Sequence, residues 1–189
     1  MNTFLLILTI TLLADVAICE DVAMCPMGEQ YTMAVLDVDF VNHYPERNYI
    51  YFGIKACRSA GVKLLFQNVY FYTKFERKPY LDQPMIMPII GKYIGHEDPT
   101  TLWTSSTPLL DCDEMKYFWL KWIEGELSFG QGLQVGSGVL ATIPDSDVHA
   151  EYDDVLYVWD DFTYGFTADF ETQCASLHAI REQQDEIIG

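Results

Sequence analysis

Alternating apolar and polar positions run in short bursts along most of this chain. Residues 47–57 (RNYIYFGIKAC), 69–75 (VYFYTKF) and 117–123 (YFWLKWI) are aromatic and β-branched, which suits a pleated surface better than a helix. A weaker version of the pattern marks strands at 30–40, 62–66, 85–93, 100–104, 127–129, 139–143, 155–159 and 164–170. Turn residues separate them: Ser59-Ala60-Gly61, Pro79, Gly95, Pro99, Pro108, Gly125, Gly136, Gly138 and Pro144. Many short strands punctuated this often predict an all-β fold, an antiparallel β-sandwich of jelly-roll type. Helix formers gather only at 176–187, with Ser176 as N-cap, so residues 176–189 are expected to be a short C-terminal helix or a tail.

The first apolar run is of another kind. Residues 4–14 (FLLILTITLLA) form eleven apolar or hydroxyl-bearing positions, the length of a signal-peptide core and about half of what a bilayer span needs. Small Ala17 and Cys19 precede a cleavage point before Glu20, so residues 1–19 are expected to be a signal peptide and 20–175 the folded domain. No other run approaches spanning length, and a secreted, extracellular protein with no membrane span is expected. Cysteine parity agrees. Of five cysteines, Cys19 leaves with the signal and Cys25, Cys57, Cys112 and Cys174 remain, an even set that reads as two disulfides. Four cysteines allow three pairings. The expected one is Cys25–Cys174 closing the termini, with Cys57–Cys112 inside.

Charge removes whole classes of function. A net charge of −17 argues against nucleic acid, whose affinity comes from Lys and Arg on phosphates. Residues 122–180 hold eleven acids and no Lys or Arg. Within them Asp145, Asp147, Glu151 and Asp153 are a weak Ca²⁺ candidate, since they lack EF-hand spacing; a solvated acidic loop is expected and no metal is assigned. Carboxylate pairs (Asp37/Asp39, Asp111/Asp113, Asp145/Asp147, Asp153/Asp154) arise readily in so acidic a chain. There is no G-x-S-x-G elbow and no zinc-type histidine spacing, so no catalytic residue is assigned. What remains is aromatic surface. Trp103, Tyr117, Trp119 and Trp159 are candidate ligand-binding platforms, each with core packing as the competing role.

One stretch carries a resemblance. Phe118-Trp119-Leu120-Lys121-Trp122, then Gly125, Leu127 and Gly130-Gln131-Gly132, form an F-W-x-x-W-x-x-G-x-L-x-x-G-x-G run. Read physically, this is a hairpin turning at Glu124-Gly125, with Tyr117, Trp119 and Lys121 on one face and Phe118, Leu120 and Trp122 on the other. Gly130 and Gly132 then permit a bulge or a close backbone approach. The run resembles the farnesoic acid O-methyltransferase domain family. So do Ile54-Lys55-Ala56-Cys57, Val62-Lys63-Leu64-Leu65, Ile90-Gly91, Thr101-Leu102 and Pro108-Leu109-Leu110-Asp111-Cys112, with Trp159 and Gly165 near the end, over roughly residues 47–170. The resemblance implies an all-β domain and, by the family name, transfer of a methyl group from S-adenosylmethionine to farnesoic acid. Gly130-x-Gly132-x-x-x-Gly136 has the wrong spacing for a nucleotide-binding G-x-G-x-x-G, and a strand follows it where a helix is needed. The expected function is therefore a secreted recognition module for a carbohydrate, lipid or extracellular protein, without cofactor. The S-adenosylmethionine-dependent methyltransferase is the alternative.

Overall fold

The structure, a computed structural model, describes residues 22–27, 37–39, 44, 46–57, 59–78, 85–95, 98–152, 154–159 and 168–175. The expected signal peptide and C-terminal helix or tail lie outside these residues. Twelve strands are described: β1 (Met24–Pro26), β2 (Asp37–Asp39), β3 (Tyr49–Ala56), β4 (Ala60–Phe66), β5 (Val69–Lys78), β6 (Met85–Ile94), β7 (Thr100–Thr104), β8 (Lys116–Ile123), β9 (Glu126–Gln131), β10 (Val139–Pro144), β11 (Asp154–Trp159) and β12 (Ala168–Gln173). No helix occurs among the described residues, and thus none long and apolar enough to cross a membrane.

The strands form two six-stranded sheets, every pairing antiparallel. Sheet A runs β1-β12-β3-β8-β9-β10 and sheet B runs β2-β11-β4-β5-β6-β7. The first four strands of each order, β1-β12-β3-β8 and β2-β11-β4-β5, are those of a jelly roll: first lies beside last, and the chain steps between sheets at each end. Two insertions widen the sandwich. β6-β7 extends sheet B, β9-β10 extends sheet A, and they meet where Trp103 sets its ring edge-on to Phe129 at 6.3 Å.

Between the sheets sits an aromatic core. Phe118 of sheet A packs against Phe75 of sheet B with centroids 5.0 Å apart, and Phe52 and Phe129 flank it at 5.7 and 5.6 Å. Strand alternation delivers these rings: Ile50, Phe52, Ile54 and Ala56 of β3 point inward, as do Phe118, Leu120 and Trp122 of β8. Trp122 is fully buried, and its indole Nε1 donates to the Ala150 carbonyl at 3.2 Å.

One local expectation needs correction. Residues 59–61 were expected as a turn; instead Ala60 and Gly61 belong to β4. The chain leaves sheet A where β3 ends at Ala56 and is in sheet B where β4 begins at Ala60. Gly61 is buried in the strand, and a Cβ there would run into the Thr73 backbone of β5, so the position takes a glycine. Of the strand expected at 164–170, residues 168–170 lie in β12, which extends to Gln173, and residues 164–167 lie outside the described residues. Both disulfides pair as expected. Cys25–Cys174 joins β1 to the end of β12, and Cys57–Cys112 joins the exit of β3 to the loop before β8.

Candidate binding face

The β8–β9 hairpin turns at Glu124-Gly125 as expected, Gly125 taking a φ of 77°. Phe118 and Trp122 go to the core. Trp119 goes to the outer face of sheet A, yet it is 1 % exposed. Its indole lies across Gly130, the facing residue of β9, where a Cβ would overlap Cζ2 and Cε2. A loop over residues 132–138 roofs it. The indole Nε1 donates to the Ser137 carbonyl at 2.9 Å, Gly132 N–H donates to the Tyr117 carbonyl, and Val135 N–H donates to the Tyr51 hydroxyl. Gly132, Gly136 and Gly138 sit at φ of 103°, 85° and 59°, which lets so short a loop fold back. Trp119 is therefore a packed ring beneath a loop, which corrects its placement among the platforms.

The other predicted residues scatter. Tyr117 is half-buried on the outer face of sheet A, lies over Gly53, and donates its hydroxyl to Glu171 Oε2 at 3.0 Å. Burial first, then the Glu171 carboxylate, push its phenol above the usual tyrosine value. Trp103 lies opposite the buried Ile90 and sets its ring against Phe129 of the core, so it faces inward and is no outward platform. Trp159 ends β11 with its backbone opposite Ala60, and its side chain lies outside the described residues. Trp103, Tyr117 and Trp119 do not share one surface patch.

Two of the acidic pairs, Asp111/Asp113 and Asp145/Asp147, have a local explanation. Asp111 Oδ1 accepts the Asp113 N–H at 2.8 Å, and Asp145 Oδ1 accepts the Asp147 N–H at 3.0 Å. Each is a carboxylate closing a turn on its own backbone two residues on. At Asp111 these backbone hydrogen bonds, led by Asp113, hold the carboxyl below its ordinary value. The Ca²⁺ candidate is likewise corrected. Lys92 of β6 reaches Asp145 at 2.6 and 2.8 Å and Asp147 at 3.0 Å, so an ammonium already serves both carboxylates. Glu151 is exposed, Asp153 lies outside the described residues, and no group of three metal-binding side chains occurs among the described ones.

This ion pair ties the β6–β7 insertion to the loop after β10, and the Asp145 side chain is only 9 % exposed. Lys92→Met should lower stability by about 2 kcal/mol in urea unfolding, since it leaves a largely buried carboxylate without its cation. Burial alone would lower the Lys92 pKa. The hydrogen bonds from Asp145 and Asp147, with their charges, outweigh it and raise the folded value above 10.5. A lysine raised on folding stabilises fully below its unfolded pKa and loses that contribution as pH climbs through the folded one. The gap between wild type and Lys92→Met should therefore hold from about pH 7 to 9 and narrow above about pH 10.5. A gap that is unchanged at high pH would show that the ammonium is not its source.

A surface that sequence reading passed over lies on the outer face of sheet B. Three cross-strand rows build it: Leu65-Tyr70-Tyr93, Lys63-Tyr72-Gly91-Thr101 and Gly61-Lys74-Ile89-Thr104. Tyr70 and Tyr93 stack at 4.8 Å with planes 13° apart, and Tyr72 stands 6.2 Å from Tyr93. Tyr72 leans across Gly91, where a Cβ would collide with its hydroxyl and ring. All three tyrosines are half-buried, so their rings are both fixed and accessible. The signal was present in VYFYTKF. Val69, Phe71, Thr73 and Phe75 fill the core, and alternation sends Tyr70, Tyr72 and Lys74 to the other side.

No family model matches the chain, and no curated protein matches it.

Proposed function

We propose that this chain is a secreted recognition module that binds carbohydrate through the outer face of sheet B. The observation that carries the reading is the Tyr70, Tyr72 and Tyr93 cluster, three neighbouring half-buried rings on a solvent-facing sheet. A tyrosine offers an apolar body for the C–H faces of a sugar and a hydroxyl for its oxygens. Stacking between Tyr70 and Tyr93, and the seat of Tyr72 on Gly91, order the rings before any ligand arrives, which lowers the entropy lost on binding. Use of jelly-roll sandwiches as lectins supports the reading by analogy of fold alone. Two disulfides and the 4–14 apolar run support export to an oxidising compartment.

The run that resembles the farnesoic acid O-methyltransferase domain has another use in this reading. Phe118 and Trp122 fill the core, Gly130 seats an indole and Gly132 turns a loop, so we take the resemblance as one of architecture. The test is an immobilised glycan array probed with residues 20–189 expressed through a secretory host. Binding is expected, and Tyr70→Ala with Tyr93→Ala should weaken it at least about tenfold while far-UV circular dichroism stays native. An array without a bound glycan, or binding indifferent to both tyrosines, overturns the reading.

A further inference from the structure

We infer that the loop after β7 is a glycan attachment site, where the hydroxyl of Thr107, with Ser106 beside it, accepts a hexosamine from a nucleotide-activated sugar. The inference rests on export of the chain and is independent of what the face of sheet B binds. Residues 99–108 read PTTLWTSSTP, with six hydroxyl side chains between two prolines, the composition of O-glycosylated segments. The chain has no N-x-S/T sequence, so a sugar on it would be O-linked.

The structure sorts these six hydroxyls. Thr100 and Thr101 lie in β7, opposite Lys92 and Gly91 of β6. Thr104 Oγ1 donates to the Pro88 carbonyl at 3.3 Å, and the Ser105 N–H donates to the same carbonyl at 3.2 Å. Beyond that point Ser106, Thr107 and Pro108 are exposed and belong to no strand. Ser105 Oγ accepts the Thr107 N–H at 3.1 Å, which fixes the backbone at Thr107. Neither the Ser106 nor the Thr107 hydroxyl hydrogen-bonds a described residue. The loop is anchored on its far side too. Leu109 and Leu110 are buried, the Asp111 carbonyl accepts the Ala56 N–H, and Cys112 is bonded to Cys57. Two hydroxyls are thus held out on a pinned loop.

Pro108 adds the backbone form. It biases Thr107 towards extended conformation and has no N–H of its own to pair, which leaves a short extended segment open to a transferase groove. Other exposed serines lack this. Ser137 sits between Gly136 and Gly138 in the loop that roofs Trp119, and Ser146 sits inside the turn that Asp145 closes on the Asp147 N–H. In the transfer, Thr107 Oγ1 forms a bond to the anomeric carbon of the sugar. The bond from that carbon to the diphosphate breaks, the nucleoside diphosphate leaves with its electron pair, and the hydroxyl proton passes to a base of the transferase.

The test expresses the full chain in secreting animal cells and reads the product by intact-mass spectrometry, with electron-transfer fragmentation to place any sugar. The secreted chain should carry a hexosamine-containing glycan on Thr107 or Ser106. Ser106→Ala with Thr107→Ala should lose it while secretion continues, and Ser137→Ala should keep it. Placement on the wild-type chain decides the question even where the double variant is poorly secreted. A secreted chain without sugar, with sugar only elsewhere, or with phosphate on Thr107 instead overturns the inference and leaves export standing. A chain retained in the cytosol and unmodified overturns both.

Discussion

Removing the Cys25–Cys174 crosslink by Cys25→Ser with Cys174→Ser should lower stability by about 5 kcal/mol, the largest single loss expected for this domain. The two cysteines lie 149 residues apart, so the bridge closes nearly the whole domain into one loop. Chain entropy lost by the unfolded state grows with the logarithm of that length. For Cys57–Cys112, separated by 55 residues, the same reasoning gives about 4 kcal/mol, some 1 kcal/mol less. The native side argues in the same direction. β1 holds only three residues and, among the described strands, pairs with β12. Around it, Met27 N–H donates to the Phe170 carbonyl, Cys174 N–H to the Ala23 carbonyl, and the Tyr44 hydroxyl to the Cys174 carbonyl at 3.1 Å. A strand this short at a sheet edge has little stability of its own. Urea unfolding of the two double variants, read by tryptophan fluorescence, checks both size and order. With total stabilities of about 5–15 kcal/mol, the Cys25/Cys174 variant should be partly unfolded at 37 °C. A loss under about 1 kcal/mol, or the reverse order, would show that the β1–β12 pairing holds without its bridge.

The strands and the class of fold were legible because alternation is a local property. Each of Ile50, Phe52 and Ile54, and each of Phe118, Leu120 and Trp122, declares its face within a few residues. Topology was not local. Nothing in residues 57–61 says that the chain leaves one sheet for the other there, because a crossing and a tight turn draw on the same small residues. Trp119 was misplaced for a related reason. Alternation places Trp119 opposite Phe118, but its burial depends on a roof that ends at Gly138 and on an empty Cβ position at Gly130. The same holds for Asp145 and Asp147, whose cation comes from Lys92, more than fifty residues upstream. Conversely, Tyr70 and Tyr72 were hidden in plain view. A strand that is aromatic on both faces reads as core throughout, and only pairing with β4 and β6 shows which rings look outward.

Gly130→Ala should be the most disruptive small substitution in sheet A, at about 3 kcal/mol. Gly130 is absent from the positions of positive φ, so its backbone suits any residue and the cost cannot come from strain in the chain. It comes from space. A methyl group there would overlap the indole Cζ2 and Cε2 of Trp119, which is 1 % exposed and held from above by Ser137. The ring must shift, and the roof loop with it; overpacking of a closed site costs about 1–3 kcal/mol and occasionally more. Trp119→Ala should cost about 3–5 kcal/mol by the opposite route, leaving a cavity under residues 132–138. The two meet in a double-mutant cycle. Phenylalanine at 119 lacks the indole edge that crowds Gly130, so in a Trp119→Phe background Gly130→Ala should cost at least about 1 kcal/mol less. Gly136→Ala is the contrasting case. Its φ of 85° strains a side chain, but a Cβ there meets nothing within 4 Å, so about 1 kcal/mol is expected and no coupling to Trp119. If Gly130→Ala costs as much with phenylalanine at 119 as with tryptophan, the indole is not what keeps that position a glycine. The seat of Trp119 would then have no part in holding the hairpin together.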